Sequence, residues 1–449
     1  MENRRNFIKK VSFGVAGATL GSAAFSAKSY ANILGANDRV RVGIVGFSDR
    51  FRDSLLPAFL DHASELNFEL VAVSDIWSRR RDECVATVKN RTGKEIKKCL
   101  NNDELYSRKD VDAVIISTAD FQHALHCVEA VKAGRDAYVE KPFAETMEDA
   151  RAALKAVEET KKIVQVGSQR RSGVNYIAAN DYIRSGKFGD IMMVELMWNV
   201  NQPGRWRRPQ LVKEIRKEDT DWDRFLMNRP KTDWDPRIYL EYRLFWPFSS
   251  GIPGQWMCHQ IDTVHWFTGL THPRSAVANG GIYLWKDGRK NADTLTVVFD
   301  YGPNDMSKGF QVLFTSRFTN SAGGTKELYY SNGGMHNLDT NRITPDGGLT
   351  EKEAAAMNMK ANLLEEYKLP DIKVTTSANT GSDPLTSAHM RNWMECVRSR
   401  KTPNASVHAG YCHSIAVIMA NAAYRTGMRV TFDEERQEVL AGGQPWKGF

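Results

Sequence analysis

At 449 residues the chain is too long for one ordinary core, and two domains are the default. Its 42% hydrophobic and 26% charged residues are ordinary for a soluble globular protein. The formal charge of +7 owes much to residues 1–31, where Arg4, Arg5, Lys9, Lys10 and Lys28 face Glu2 alone; no Lys/Arg stripe interleaved with aromatics follows, which excludes a nucleic-acid surface.

The chain opens on Asn3-Arg4-Arg5-Asn6-Phe7-Ile8-Lys9, then an apolar stretch from Val11 to Phe25 rich in Gly and Ala, then the small residues of Ser29-Tyr30-Ala31. This pattern predicts a twin-arginine export signal over residues 1–31 and a periplasmic protein, tethered to the membrane if the signal stays uncleaved. The apolar stretch is shorter than the roughly 18–20 residues that span a bilayer, and no later segment is long and apolar enough. Such export carries folded proteins into a compartment without a reliable nicotinamide pool, so an exported dinucleotide enzyme is expected to hold its cofactor tightly. The six cysteines (Cys84, Cys99, Cys127, Cys258, Cys396, Cys412) show no metal spacing and are expected to be mostly small buried hydrophobes.

Residues 39–169 alternate strand and helix. Strands are predicted at 40–46, 68–75, 111–117, 137–140 and 163–167, with helices at 53–62, 79–89, 122–133 and 146–160. That order implies a parallel sheet covered on both faces, a Rossmann dinucleotide-binding domain over 38–165. From about residue 190 the texture changes. A longer strand over 191–198 and strand-like runs at 281–284, 294–300 and 309–315 predict an α+β domain over 166–449, with a large, mostly antiparallel open sheet. Residues 344–386 are polar and read as crossing the surface. Helices are expected at 388–398 and 410–425, the first with a core-facing stripe of Met390, Trp393, Met394 and Val397.

Four constellations can carry chemistry. The turn Gly46-Phe47-Ser48-Asp49-Arg50-Phe51 keeps only the first glycine of a dinucleotide fingerprint, with Ser48 at the second glycine position, where a hydroxyl can donate to a phosphate. It follows a strand, opens a helix and precedes Asp75, a carboxylate placed for adenine ribose hydroxyls, which favours NAD over NADP; Arg79 and Arg80 keep NADP open. Ser117-Thr118-Ala119-Asp120-Phe121-Gln122-His123 follows the third clear strand with small residues that admit a cofactor, His123 reading as a packing residue. Glu140-Lys141-Pro142 ends another strand, where a partly desolvated lysine becomes a usable acid or base. Lastly, Gln255, His259, Asp262 and Trp266 recur at helical spacing on one face, a polar face amid aromatics that suits a sugar; His259 and Asp262 lack a third partner for a metal.

Together these residues resemble the Gfo/Idh/MocA family of sugar oxidoreductases, through Ser117-Thr118-Ala119-Asp120 with His123, Glu140-Lys141-Pro142, Val166-Gly167-Ser168-Gln169-Arg170-Arg171, Trp198, and His259 with Asp262. The resemblance covers residues 39–440. It implies Lys141 and His259 as catalytic residues and a dinucleotide held by Gly46, Phe47, Ser48, Arg50, Asp75, Ser117, Thr118, Asp120, His123, Glu140, Lys141 and Gln169. It implies sugar contacts from Arg171, Trp198, Asn199, Trp206, Gln255 and Asp262, and an open sheet that forms a homo-oligomer interface. Ala119 stands where many relatives carry Pro, and Gln255 where many carry Asp. The expected activity is NAD-dependent oxidation of a sugar or glycoside hydroxyl, at carbon 3, with the cofactor retained. The alternatives are an NAD-dependent glycosidase using transient oxidation, and a sugar-binding protein with an inert Rossmann fold.

Overall fold

The computed structural model describes residues 38–304, 306–371 and 382–449, so the export signal expected over residues 1–31 lies outside the described residues. Strands β1 (Val40–Val45), β2 (Phe68–Ser74), β3 (Lys97–Cys99), β4 (Ala113–Ile116), β5 (Asp136–Val139) and β6 (Val164–Val166) form a six-stranded sheet in the order β3-β2-β1-β4-β5-β6. Every pairing in it is parallel. Strand order reverses between β1 and β4, and open α/β sheets bind ligands beyond the carboxyl ends at such a switch point. Strands β4 and β5 are buried throughout, as expected of a sheet with helices on both faces. The sequence reading misses β3, whose three residues include two exposed lysines and show no apolar run.

Strands β7 (Ile191–Asn199), β8 (Ser275–Gly281), β9 (Thr294–Tyr301), β10 (Phe310–Arg317), β11 (Thr325–Ser331), β12 (Gly334–Asn337), β13 (Arg342–Thr344), β14 (Tyr367–Lys368), β15 (Val430–Asp433), β16 (Glu438–Ala441) and β17 (Gln444–Pro445) make the second sheet. Its eleven strands run β14-β13-β12-β11-β7-β10-β9-β8-β15-β16-β17. The one parallel pairing is β7 with β10. Along β9 burial alternates, which aims Leu295, Val297, Phe299 and Tyr301 at one face. Helices Val174–Arg184, Cys258–Thr268 and Val407–Thr426 share a core with these residues.

One sequence expectation needs correction. The strand expected at 281–284 instead ends at Gly281, because the next backbone N–H groups leave the ladder. Those of Tyr283, Leu284 and Trp285 donate to the carboxylate of Asp293 at 2.8–3.0 Å. The stretch expected to cross the surface over 344–386 is mostly exposed among its described residues, and it carries the helix Glu351–Ala356 and the edge strand β14.

The helix Pro384–Ser399, late in the chain, packs against the first sheet's helix Leu56–Ala63. Its stripe of Met390, Trp393, Met394 and Val397 joins a core with Val42, Ile44, Phe47 and Tyr138. Trp393 is fully buried, with its ring 6.0 Å from those of both Phe68 and Tyr138. All six cysteines are free thiols, and five are buried. Trp393→Ala leaves a large cavity at this junction and is expected to cost about 3–5 kcal/mol of stability, read as a lower urea midpoint.

Candidate active site

The carboxyl end of β1 makes the floor of a long cleft. Gly46 takes φ +83°, and a Cβ there would sit 2.7 Å from Cγ2 of Thr118, so glycine is required both for conformation and for space. Ser117 Oγ donates to the Gly46 carbonyl at 2.8 Å and ties the β4 loop to the turn. Ser48 Oγ accepts from the Phe51 N–H at 3.2 Å, which leaves its own proton to donate. Phe51 opens a π-helical turn, Phe51–Leu55, and its buried ring lies 5.9 Å from that of Phe47.

Asp75, just past β2, accepts from the N–H of Phe47 at 2.8 Å and of Trp77 at 2.9 Å. Burial pushes its carboxyl above the ordinary range, against the pull of those two donors. Its remaining lone pairs can take ribose hydroxyls. Arg79 is committed to Glu83 and Glu214, and Arg80 to Glu83 and Asp49, so neither is a free cation for a 2′-phosphate. This part of the cleft holds about 380 Å³. Thr118 Oγ1, buried and without a partner among the described residues, borders it. The small turn, the donor Ser48, the orphaned Thr118 hydroxyl and the carboxylate at Asp75 fit a dinucleotide.

The cleft continues into a second part of about 760 Å³ that shares Ser48, Arg50, Ser117 and Thr118 and adds Glu140, Lys141, Gln169, Trp198, Trp206, Gln255 and His259. Glu140 is 3% exposed and accepts from Arg50 Nε at 2.9 Å. Gly167 makes room for this pair, because a Cβ there would lie 3.1 Å from the Glu140 carboxylate. Lys141, half-buried, donates from Nζ to the backbone carbonyl of Gln255 at 2.8 Å. Burial lowers its pKa, partly offset by Glu140 and Asp120. Gln169 Oε1 is buried without a partner among the described residues.

His259 stacks on Trp198 at 5.8 Å, and Trp198 lies parallel to Trp256 at 5.9 Å. Burial, then the charges of Lys141, Arg170 and Arg50, hold its pKa well below the usual imidazole value. The ring is therefore neutral at physiological pH, with a lone pair for a proton. His123, in contrast, faces two backbone carbonyls, with Nδ1 2.8 Å from that of Pro142 and Nε2 3.2 Å from that of Thr118, and as the neutral ring that burial favours it donates to one of them. It clamps the two loops together, as a packing residue does.

Four expected contacts do not reach the cleft. Asp262 is buried and takes Arg171 Nε at 2.8 Å and Nη2 at 3.0 Å on its two oxygens, and this pairing, with His413 nearby, holds its carboxyl well below the usual range. Arg171 and Asp262 therefore satisfy each other, as buried charges must, and neither lines the cleft. Asn199 is 2% exposed and donates to the Ala322 carbonyl, away from the cleft. Asp120, expected at the cofactor, is fully buried behind the wall and accepts from Gln255 Nε2 and Ser249 Oγ, each at 2.6 Å. Gln255 lines the cleft, but Arg243 Nε donates to its Oε1 at 2.9 Å, so both ends of its amide are engaged and it orients Lys141. Arg243, Arg205 and Arg208 enter the cleft from loops and short turns that carry no motif, and the sequence reading misses them.

Fold and cleft together define a Rossmann dinucleotide-binding protein with a second, sheet-based domain over the same site. Residues 40–168 match the Gfo/Idh/MocA model, described as an oxidoreductase family with an NAD-binding Rossmann fold. The chain is 29% identical over 217 residues to inositol 2-dehydrogenase of Agrobacterium fabrum, across 47% of this chain and 59% of that protein. It is 27% identical over 236 residues to a glycosyl hydrolase family 109 protein of Shewanella baltica, across 46% of this chain and 50% of that one. The chain thus spans about half the length of the curated relatives it matches. Among solved structures, the WlbA dehydrogenase of Bordetella pertussis, in complex with NADH and UDP-GlcNAcA, aligns with a TM-score of 0.62 at 16% identity. That alignment covers 88% of this chain and 99% of the other, and at this identity it shows the fold alone. Residues 40–168 are thus similar to the NAD-binding Rossmann domain of the Gfo/Idh/MocA oxidoreductase family.

The roles of Arg171 and Asp262 are separable by experiment. Arg171→Ala leaves a buried carboxylate unpaired and is expected to cost about 3–5 kcal/mol in urea unfolding, with the double variant Arg171→Ala/Asp262→Ala recovering part of that loss. A change in sugar KM with unaltered stability would instead return both residues to the substrate.

Proposed function

We propose that this protein is an exported, NAD-dependent oxidoreductase acting on a hydroxyl of a sugar or glycoside. The observation that carries the reading is the meeting of Lys141 and His259 in one cavity with the Gly46 turn. A nicotinamide dinucleotide bound here would supply the hydride acceptor for oxidation at the carbinol carbon. Gly46, Ser48 and Thr118 would cradle its phosphates, Asp75 its ribose, and Gln169, which lines the same part of the cleft as Lys141, would meet its amide. Lys141 Nζ, whose charged form burial disfavours, accepts the hydroxyl proton. Neutral His259 holds the same oxygen from the second domain, and the Trp198 and Trp206 rings take the apolar face of the pyranose.

The finer features rest on the sequence. Carbon 3 is the proposed site of oxidation, and the twin-arginine pattern at residues 3–9 supports export to the periplasm. Export in turn supports a cofactor retained between turnovers, and hence ping-pong exchange between a sugar and a keto-sugar. The open second sheet is proposed as the homo-oligomer interface. A second reading, redox-neutral cleavage of a glycoside by the same residues, is favoured by the similarity to the family 109 glycosyl hydrolase protein.

Incubating the protein with a panel of glycosides and weighing the products separates these readings. A two-dalton loss supports oxidation, and a released aglycone with unchanged nicotinamide supports cleavage. Protein that neither carries nicotinamide nor binds it when added would sink both. Lys141→Ala is expected to lower turnover on the order of 10²–10⁴-fold while NAD stays bound, as read by fluorescence titration. Because burial lowers the Lys141 pKa, kcat/KM for oxidation should rise with pH through a value below the ordinary lysine one, and kcat/KM for reduction should fall across the same range. A His259 held neutral adds no limb near its usual pKa; a limb there that vanishes in His259→Gln would contradict this assignment.

A further inference from the structure

Charge in the catalytic part of the cleft is almost entirely committed. Glu140 pairs with Arg50, Asp49 with Arg208, and Asp53 with Arg52, while Arg243 is shared between Gln255 and Asp120. Arg205 is the exception: among the described residues its guanidinium has neither a carboxylate partner nor a side-chain hydrogen bond. It lies over the Trp256 ring, 5.9 Å from the centroid, with the cations Arg243 and Arg208 as its charged neighbours. It borders the part of the cleft that holds Lys141 and His259 and is absent from the wall of the dinucleotide part.

The loop that presents Arg205 is held in place. Its N–H donates to the Gln202 carbonyl at 3.0 Å, and the Arg207 N–H donates to that of Gly204 at 2.9 Å. Trp206, 7% exposed, anchors the loop against Phe318 at 4.8 Å and Trp256 at 5.7 Å. It takes φ +66°, a conformation that a bulky residue adopts only when its surroundings impose it. Arg205 has two cations as neighbours and no counter-charge of its own, which is unfavourable in the free protein, and a ligand bearing negative charge relieves it.

We propose that the sugar this site accepts carries a carboxylate, received by the guanidinium of Arg205 while the ring lies along the tryptophan wall. The planar fork of arginine matches a carboxylate in two parallel hydrogen bonds. The inference rests on the reading of the cleft as a sugar site and narrows its substrate to a uronic acid or uronide.

The test is calorimetric titration of the full chain, loaded with NADH, with methyl β-D-glucuronide and methyl β-D-glucoside. The glucuronide is expected to bind about tenfold or more tighter at low salt, with the difference shrinking as salt rises. Arg205→Gln should bring the two glycosides level, and Arg205→Lys should keep part of the preference. Equal binding, tighter binding of the glucoside or no binding of either by the native protein overturns the proposal. So does an Arg205→Gln variant that loses NADH affinity by the same factor, since Arg205 would then be serving a cofactor phosphate. Failure of the oxidoreductase reading shows separately, as unchanged nicotinamide absorbance in NAD-loaded protein under a calorimetric preference that persists.

Discussion

The hydrogen bond from Lys141 Nζ to the Gln255 carbonyl, 2.8 Å long, joins the end of β5 to the helical turn that leads into His259. The proposed chemistry depends on this junction, because Lys141 follows the first sheet and His259 stands on the helix Cys258–Thr268 that packs with the second. Neither element makes a proton-transfer site alone. The junction is braced from behind: Gln255 is gripped through its amide by Asp120 and Arg243, and Asp120 in turn takes the Ser249 hydroxyl. A fully buried carboxylate is tolerated only with such partners, so the bracing is also what lets Asp120 remain inside.

The same economy of charge shapes the rest of the cleft. Burial holds His259 neutral and disfavours the ammonium of Lys141, so the imidazole keeps a free lone pair and the lysine releases its proton more readily than an exposed one. Glu140, in contrast, is kept ionised by Arg50 and stays below the ordinary carboxylate range despite burial. The Glu140–Arg50 pair therefore anchors the strand end without competing for the proton, and the parallel rings of Trp198 and Trp256 fix the stacked face of His259.

Much of the first domain is legible in the sequence because its signals are local. Continuous apolar strands, a glycine with forced positive φ and acids at strand ends locate the dinucleotide turn, and Glu140-Lys141-Pro142 locates the catalytic end of β5. Legibility fails where partners come from far along the chain. Asp262 looks like a sugar ligand at helical spacing from His259, yet Arg171, 91 residues away, claims both its oxygens. The strand expected at 281–284 is dissolved by the Asp293 carboxylate, and no periodicity records that competition.

The sequence by itself determined the doubly wound first sheet, the mostly antiparallel second one, the NAD-type turn and the two residues, Lys141 and His259, on which the proposed chemistry rests. Those follow from hydrophobic period, turn chemistry and motifs confined to a few neighbouring positions. Only the tertiary structure decided which polar residues are spent on one another and which face the cleft. Pairing of buried charge is a contest among all groups brought within a few ångströms. Its outcome at Asp262, Gln255 and the unpaired Arg205 exists only once two sheets and their loops have closed around the same space.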